Sequence, residues 1–291
     1  MGWRRNRYNK KSSEKYGWEL HWFSATAFDD FLAEQIKAFQ RDQGLDIDGY
    51  CGPMTYRRIY TEREARHDQP PKELENYIVC GGDKIRIEWD KTKQDLLGDN
   101  CYKKYKKDRK PTMVVTHWDV CTSAESCRRV LRKKGISTHF VIDNDGTIVQ
   151  LVDCNNAAWH AGIRRVNNAS IGIDFSNAVS QKYNKTYVKR GFGERPIIKD
   201  WRVHGVKVKP FLGFYPVQVE AYKVLLKTLH NHYGIPLACP LDSSGQLDTG
   251  VVSSARRAKF KGVVNHYNLT RGKWDTSGLE LDKIINELAT N

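Results

Sequence analysis

The sequence predicts an α/β protein, a central sheet flanked by helices, with a small helical domain ahead of it. Three observations predict this. From Thr112 onward, short β-branched apolar runs alternate with helix signals. Residues 27–60 instead carry apolar residues at helical spacing around a glycine-rich turn. A charged stretch ending in Pro70-Pro71 separates the two. At 291 residues, 40% hydrophobic and 11% aromatic, the chain has the length for a sizeable core and lies outside the disordered class.

Residues 1–20 form a basic arm with Trp3 and Trp18, expected to be solvated. Residues 21–65 read as the helical module. Phe31, Leu32, Ile36 and Phe39 share one helix face, Gly44 stops that helix, and a turn built on Gly49 and Gly52 leads into a second helix from Met54. Residues 66–111 are expected to be a linker and a hairpin region, with 77–80 and 85–89 alternating around Gly81-Gly82-Asp83. The basic run 103–110 reads as a solvated loop.

Residues 112–291 carry the sheet. A strand ends at His117, and a helix capped by Ser123 runs to Lys134 and stops at Gly135. Residues 138–142 and 147–152 form a hairpin across Asn144-Asp145-Gly146. A strand over 170–175 precedes a long polar insertion, 176–214, with few core positions. Pro216 opens an amphipathic helix to Tyr233, with Val219, Tyr222, Leu225, Leu226 and Leu229 on one face. The strand at Val263 and a helix over 279–288 complete the domain.

The formal charge of +14 calls for a polyanionic neighbour, but charge does not choose among nucleic acid, wall polymers and anionic membranes. No nucleic-acid motif is present, so a nucleic-acid partner is not expected. No run approaches the roughly 18 apolar residues of a membrane span. The basic start lacks a following apolar region, so no signal peptide is expected. The seven cysteines are scattered, without a Cys-x-x-Cys pair, and read as reduced thiols of a cytoplasmic product. Cys121 is taken as structural.

The stretch Val263-Val264-Asn265-His266 ends a strand on a histidine, and Lys273 and Asp275 follow in a tight loop. One strand and one loop thus bring an imidazole, an ammonium and a carboxylate together. A hydrolytic zinc site takes about three protein ligands and one open position. His117, also closing an apolar strand, is the candidate third ligand. The alternative is that each histidine is a hydrogen-bonded residue of the sheet's rim.

Two resemblances bear on this. Phe39-Gln40, Gly44-Leu45, Asp48-Gly49, Gly52 and Thr55 resemble the peptidoglycan-binding module of bacterial and phage wall hydrolases, although its first helix is poorly marked. Residues 112–290 resemble the zinc-dependent N-acetylmuramoyl-L-alanine amidases, the family that includes the peptidoglycan recognition proteins. The matching pieces are the His117 strand, Ser137 to Gln150, Trp159-His160-Ala161-Gly162, Asn168 to Asp174, and His266 with Lys273 and Asp275.

The resemblance implies a central mixed sheet and Zn2+ held by His117, His266 and Asp275. It implies catalytic roles for Lys273 at the oxyanion and for Asp174, which stands where one branch of the family has Glu. The alternative for Asp174 is a hydrogen-bonding residue of the sheet. His139, His160 and Trp159 are expected to contact substrate, with a structural hydrogen-bonding role as the alternative for each histidine, and Thr138 replaces a tyrosine of other members. The layout resembles a phage endolysin that hydrolyses the bond between N-acetylmuramic acid and L-alanine; the alternative is a non-catalytic receptor of the same fold. The expected partner is peptidoglycan, with anionic outer-membrane or wall polymers meeting the basic arm. Such a protein is made in the host cytoplasm and acts on the wall after holin-type release or as a virion component.

Overall fold

A computed structural model of the chain describes residues 2–66 and 76–290. The chain divides into two compact units, Met1–Lys72 and Glu73–Asn291. The Pro70-Pro71 linker lies outside the described residues.

The described residues of the first unit form three α-helices, α1 (Gly2–Tyr16), α2 (Asp30–Asp42) and α3 (Pro53–Arg66). Asp29 caps α2 by accepting from the Leu32 amide at 3.0 Å, and Leu32, Ala33 and Ile36 are buried along it. The expected solvated arm is instead α1. Its Asn9 and Ser12 are buried: Asn9 donates to the Gly49 carbonyl at 3.0 Å and accepts from the Cys51 amide at 2.9 Å. Trp18, 1% exposed, donates to Ser12 and stacks edge-on against Phe23. The sequence hid this helix because its buried face is polar, so no apolar periodicity marks it.

The second unit is built on a six-stranded sheet. Its strands in chain order are β1 (Thr92–Gln94), β2 (Met113–Trp118), β3 (Phe140–Ile142), β4 (Ile148–Gln150), β5 (Ser170–Phe175) and β6 (Gly262–Asn265). They lie in the order β6-β2-β5-β3-β4-β1. All neighbours are parallel except the β3–β4 hairpin, so the sheet is mixed. Both faces are covered, as a parallel sheet requires. On one face Val114, Phe140, Ile171, Ile173 and Phe175 pack against α5 (Pro216–Tyr233) and α6 (Leu281–Thr290). Strand alternation sends Met113, Val115, His117, Gly172 and Asp174 to the other face. There Val141 and Val149 pack with Cys127 of α4 (Ala124–Lys134), the helix capped by Ser123 and ended by left-handed Gly135.

Two expectations are corrected here. The hairpin expected within residues 66–111 forms, as Tyr77–Cys80 pairs with Asp83–Arg86, but residues 76–111 belong to this unit, with Thr92–Gln94 as the sheet's edge strand. The insertion 176–214 is not poor in core positions, since Tyr187, Val203, Phe211, Leu212 and Phe214 are buried. It is anchored by Arg195, 2% exposed, which donates to Asn144, Ser176, Gly213 and Gln218 between the rings of Tyr187 and Tyr215.

Candidate metal and catalytic site

Register builds the site. Thr116 pairs with Asn265 between β2 and β6, so the next residues, His117 and His266, emerge side by side. His117 in turn pairs with Asp174 of β5. A histidine, a histidine and an aspartate thus line up across three parallel strands at their C-terminal ends, where open α/β sheets place ligands. The loop after β6 brings Asp275 back to them. His117 Nδ1 and His266 Nδ1 approach to 2.9 Å, and Asp275 Oδ2 lies 2.9 Å from His266 Nδ1 and 3.3 Å from His117 Nδ1. All three residues are buried, and among the described residues they form the group of ligand atoms close enough to share an ion.

The donor set fits zinc. Two imidazole nitrogens and a carboxylate oxygen are a usual combination, and ligand atoms at about 2.1 Å on a tetrahedron lie about 3.4 Å from one another. The hydrogen bonds behind His117 also set its tautomer. Ser170 Oγ donates to the Val166 carbonyl at 2.7 Å, so toward His160 Nε2, at 3.2 Å, it can only accept. His160 therefore carries its proton on Nε2 and accepts at Nδ1 from His117 Nε2, 2.9 Å away. His117 is left with a bare Nδ1 facing His266 and Asp275. Gly172 permits the arrangement: a Cβ there would meet the His160 ring at 2.6 Å.

Burial, with the neighbouring His266, lowers His117 to about 4, so the imidazole is neutral and able to bind metal. Burial alone would raise Asp275, but the adjacent His117 and His266 outweigh it and hold the carboxyl below the usual range. Asp174 is raised to about 8 by burial and by the charge of Asp275, with the Lys273 ammonium acting against the rise. A buried carboxyl near neutrality beside an ammonium is suited to taking and returning a proton.

These groups line one side of a cleft of about 690 Å³. Trp159 and His160 line it, as do Trp274 and Lys273. His139 does not. It is fully buried and outside the cleft lining, so of its two expected roles the structural one fits. Its Nδ1 accepts from the Gly172 amide at 2.9 Å, which leaves Nε2 to donate to the Asn156 carbonyl at 3.0 Å. Burial and the adjacent Arg109 keep it neutral.

Arg109 was not foreseen. It sits in the run read as solvated, yet is 5% exposed, and its guanidinium donates to the carbonyls of Cys154, Asn167, Asn168 and Ser170. The available signal was an arginine among lysines, since only a planar fork serves several carbonyls at once. Cys121, taken as structural, lines the cleft, and contact with Cys127 lowers its thiol to about 7.

In the first unit, the fingerprint Gln40, Asp48, Gly49 and Thr55 is a loop lock. The Gln40 amide donates to Asp48, Tyr50 and Thr55, and its carbonyl accepts from the Asp48 and Gly49 amides. Gln40 and Thr55 are buried, and Phe39 packs edge-on against Phe23. Gly49 has φ +75°, a value glycine adopts without strain, and Gly52 lies near the Tyr8 hydroxyl.

Comparison with known proteins agrees with these two units. Residues 17–59 match the model of a putative peptidoglycan binding domain. No curated protein matches the chain. Among solved structures, it is similar to the N-acetylmuramoyl-L-alanine amidase LysC from Clostridium intestinale URNW, at 16% identity over 68% of this chain and 97% of that one, with a TM-score of 0.41. It is similar to AmpDh3 from Pseudomonas aeruginosa in complex with anhydromuramic pentapeptide, at 20% identity over 66% of each chain and a TM-score of 0.40. A third is the hydrolase AmiA from Staphylococcus aureus, at 11% identity over 68% and 82%, with a TM-score of 0.41. Residues 107–277, more than half of the chain, match the N-acetylmuramoyl-L-alanine amidase model. They hold the strand-end histidines, the Lys-x-Asp loop and the Asp174 strand, and by that match the chain belongs to the N-acetylmuramoyl-L-alanine amidase family.

Proposed function

We propose that this amidase hydrolyses the bond between the lactyl group of N-acetylmuramic acid and L-alanine with zinc, as a phage endolysin that lyses its host. The observation that carries the reading is the convergence of His117, His266 and Asp275 beside Lys273 and Asp174 in one cleft. His117 Nδ1, His266 Nδ1 and Asp275 Oδ2 would hold the ion. Zinc bound there supplies Lewis acidity and a water whose pKa falls toward about 7. Asp174 takes the proton from the attacking water and returns it to the departing L-alanine amine. The Lys273 ammonium faces the carbonyl oxygen as negative charge develops on it. His160 and Ser170 hold the His117 tautomer, and Trp159 and Trp274, both partly exposed, flank the cleft where substrate lies.

The endolysin reading rests on a wall-binding domain joined to an amidase in one chain. In this reading the protein is made in the host cytoplasm and reaches the wall by holin-type release. The exposed Arg4, Arg7, Lys10 and Lys11 of α1 meet anionic wall or outer-membrane polymers.

Purified sacculi are incubated with zinc-loaded and with chelated protein, and the soluble products are read by mass spectrometry. Free stem peptides beginning at L-alanine, appearing only with metal, are expected. Binding without release would replace the amidase by a receptor. For the cellular role, expression alone should leave host cells intact and co-expression with a holin should lyse them; lysis independent of the holin would remove the proposed release route.

A further inference from the structure

The insertion 176–214 reaches the catalytic loop at two points, and one of them is a residue placed against local backbone preference. The hairpin Arg202–Val203/Val206–Lys207 turns through His204 and Gly205, both at positive φ (+54° and +78°). A two-residue turn of this kind favours Asn-Gly, and histidine at its first position carries a steric cost. What histidine adds is reach. Its Nε2 lies 3.2 Å from the Lys273 carbonyl, to which it donates, and its ring stands edge-on to Tyr267 at 6.4 Å. Among the described residues, no other group donates to that carbonyl. The turn itself is fixed, because the His204 amide donates to the Thr249 carbonyl at 3.1 Å. The second contact is Phe211, which with Trp118 stacks edge-on against Trp274, at 5.7 and 4.8 Å.

The loop needs such support at Lys273. Residues 271–274 are exposed, whereas Asp275 is tied independently by its carbonyl to the Tyr267 amide at 2.9 Å and by its carboxylate to the two histidines. Loss of the His204 contact would therefore leave Lys273 with only the bond from its amide to the Thr270 carbonyl, at 3.3 Å, while Asp275 stays in place.

We propose that His204 is a positioning residue of the amidase: the insertion clamps the Lys-x-Asp loop through it, fixing where the Lys273 ammonium meets the developing oxyanion. The inference rests on the role assigned to Lys273 above. A group that acts mainly in the transition state affects kcat rather than KM when displaced.

The test uses the full-length, zinc-loaded protein and a soluble muramyl peptide, with kcat, KM, bound zinc and Tm measured for each variant. His204→Asn suits the turn but is one atom too short to reach Lys273. It is expected to keep Tm and zinc, hold KM within about twofold, and lower kcat by about tenfold or more. His204→Gln carries its Nε2 the same number of bonds from the backbone as histidine does, and is expected to recover most of the lost kcat. A merely structural role would move Tm and kcat together and would not separate Asn from Gln. Parental kcat in His204→Asn, or equal loss in both variants, overturns the proposal. A parent protein that binds the peptide but never cleaves it overturns the amidase reading instead, and this inference falls with it.

Discussion

At the scale of single residues, the site depends on which atoms carry protons. His117 offers Nδ1 because His160 and Ser170 consume the other possibilities. Ser170→Ala leaves His160 free to adopt either tautomer, and zinc affinity is expected to fall roughly 10- to 100-fold in a competitive chelator titration. Asp174→Asn keeps the shape but cannot take a proton. Its kcat is expected to drop by about 10²–10⁴ while bound zinc stays at the parental level. Zinc lost in parallel would place Asp174 among the metal-holding residues instead. Arg109 acts through carbonyls rather than charge partners, so Arg109→Lys should destabilise the second unit by about 2–4 kcal/mol in urea unfolding.

Elements set where those residues lie. Side-by-side histidines require β6 and β2 to pair in parallel with Asn265 opposite Thr116, and a one-residue slip would send one of them to the opposite face. In the first unit the corresponding device is Gln40, whose amide holds the 48–50 loop from inside while Asn9 of α1 holds it from the other side. Gln40→Leu fills similar volume but leaves two loop amides and the Asp48 carboxylate without that partner. A loss of about 2–3 kcal/mol is expected for that unit, read from the loop's amide-exchange protection.

For the whole molecule, the two compact units make different demands on metal. Among the described residues the ligand trio belongs to the second unit, and an ion bound only by the folded state stabilises it by mass action. Calorimetry with and without a chelator is therefore expected to show one transition shifting down by several degrees. The other transition, assigned to the first unit by its absence from a chain lacking residues 1–72, should stay where it is. Two transitions moving together would mean that the units unfold as one.

Much of the second unit could be read in advance because its signals are local. Apolar β-branched runs ended at His117 and His266, Ser123 and Gly135 bracketed a helix, Asn144-Asp145-Gly146 turned a hairpin, and the spacing of Lys273 and Asp275 put both in one loop. What stayed hidden depends on contacts between distant parts of the chain. A helix such as α1, whose inner face is Asn9 and Ser12, leaves no apolar period, and its burial follows from the loop it satisfies. Arg109 looked like its lysine neighbours until four backbone carbonyls closed around it. His139 and His160 sit in equivalent-looking motifs and their rings lie 6.0 Å apart, yet the Gly172 amide and the Asn156 carbonyl hold the first out of the cleft while the second lines it. The fold class and the residue types at the candidate metal site are legible in the sequence, since periodicity, caps and turns are properties of neighbouring residues. Which buried polar groups line the cleft and which hold the scaffold follows only from the folded structure, because a hydrogen-bonding group's surroundings are set by the partners that folding brings to it.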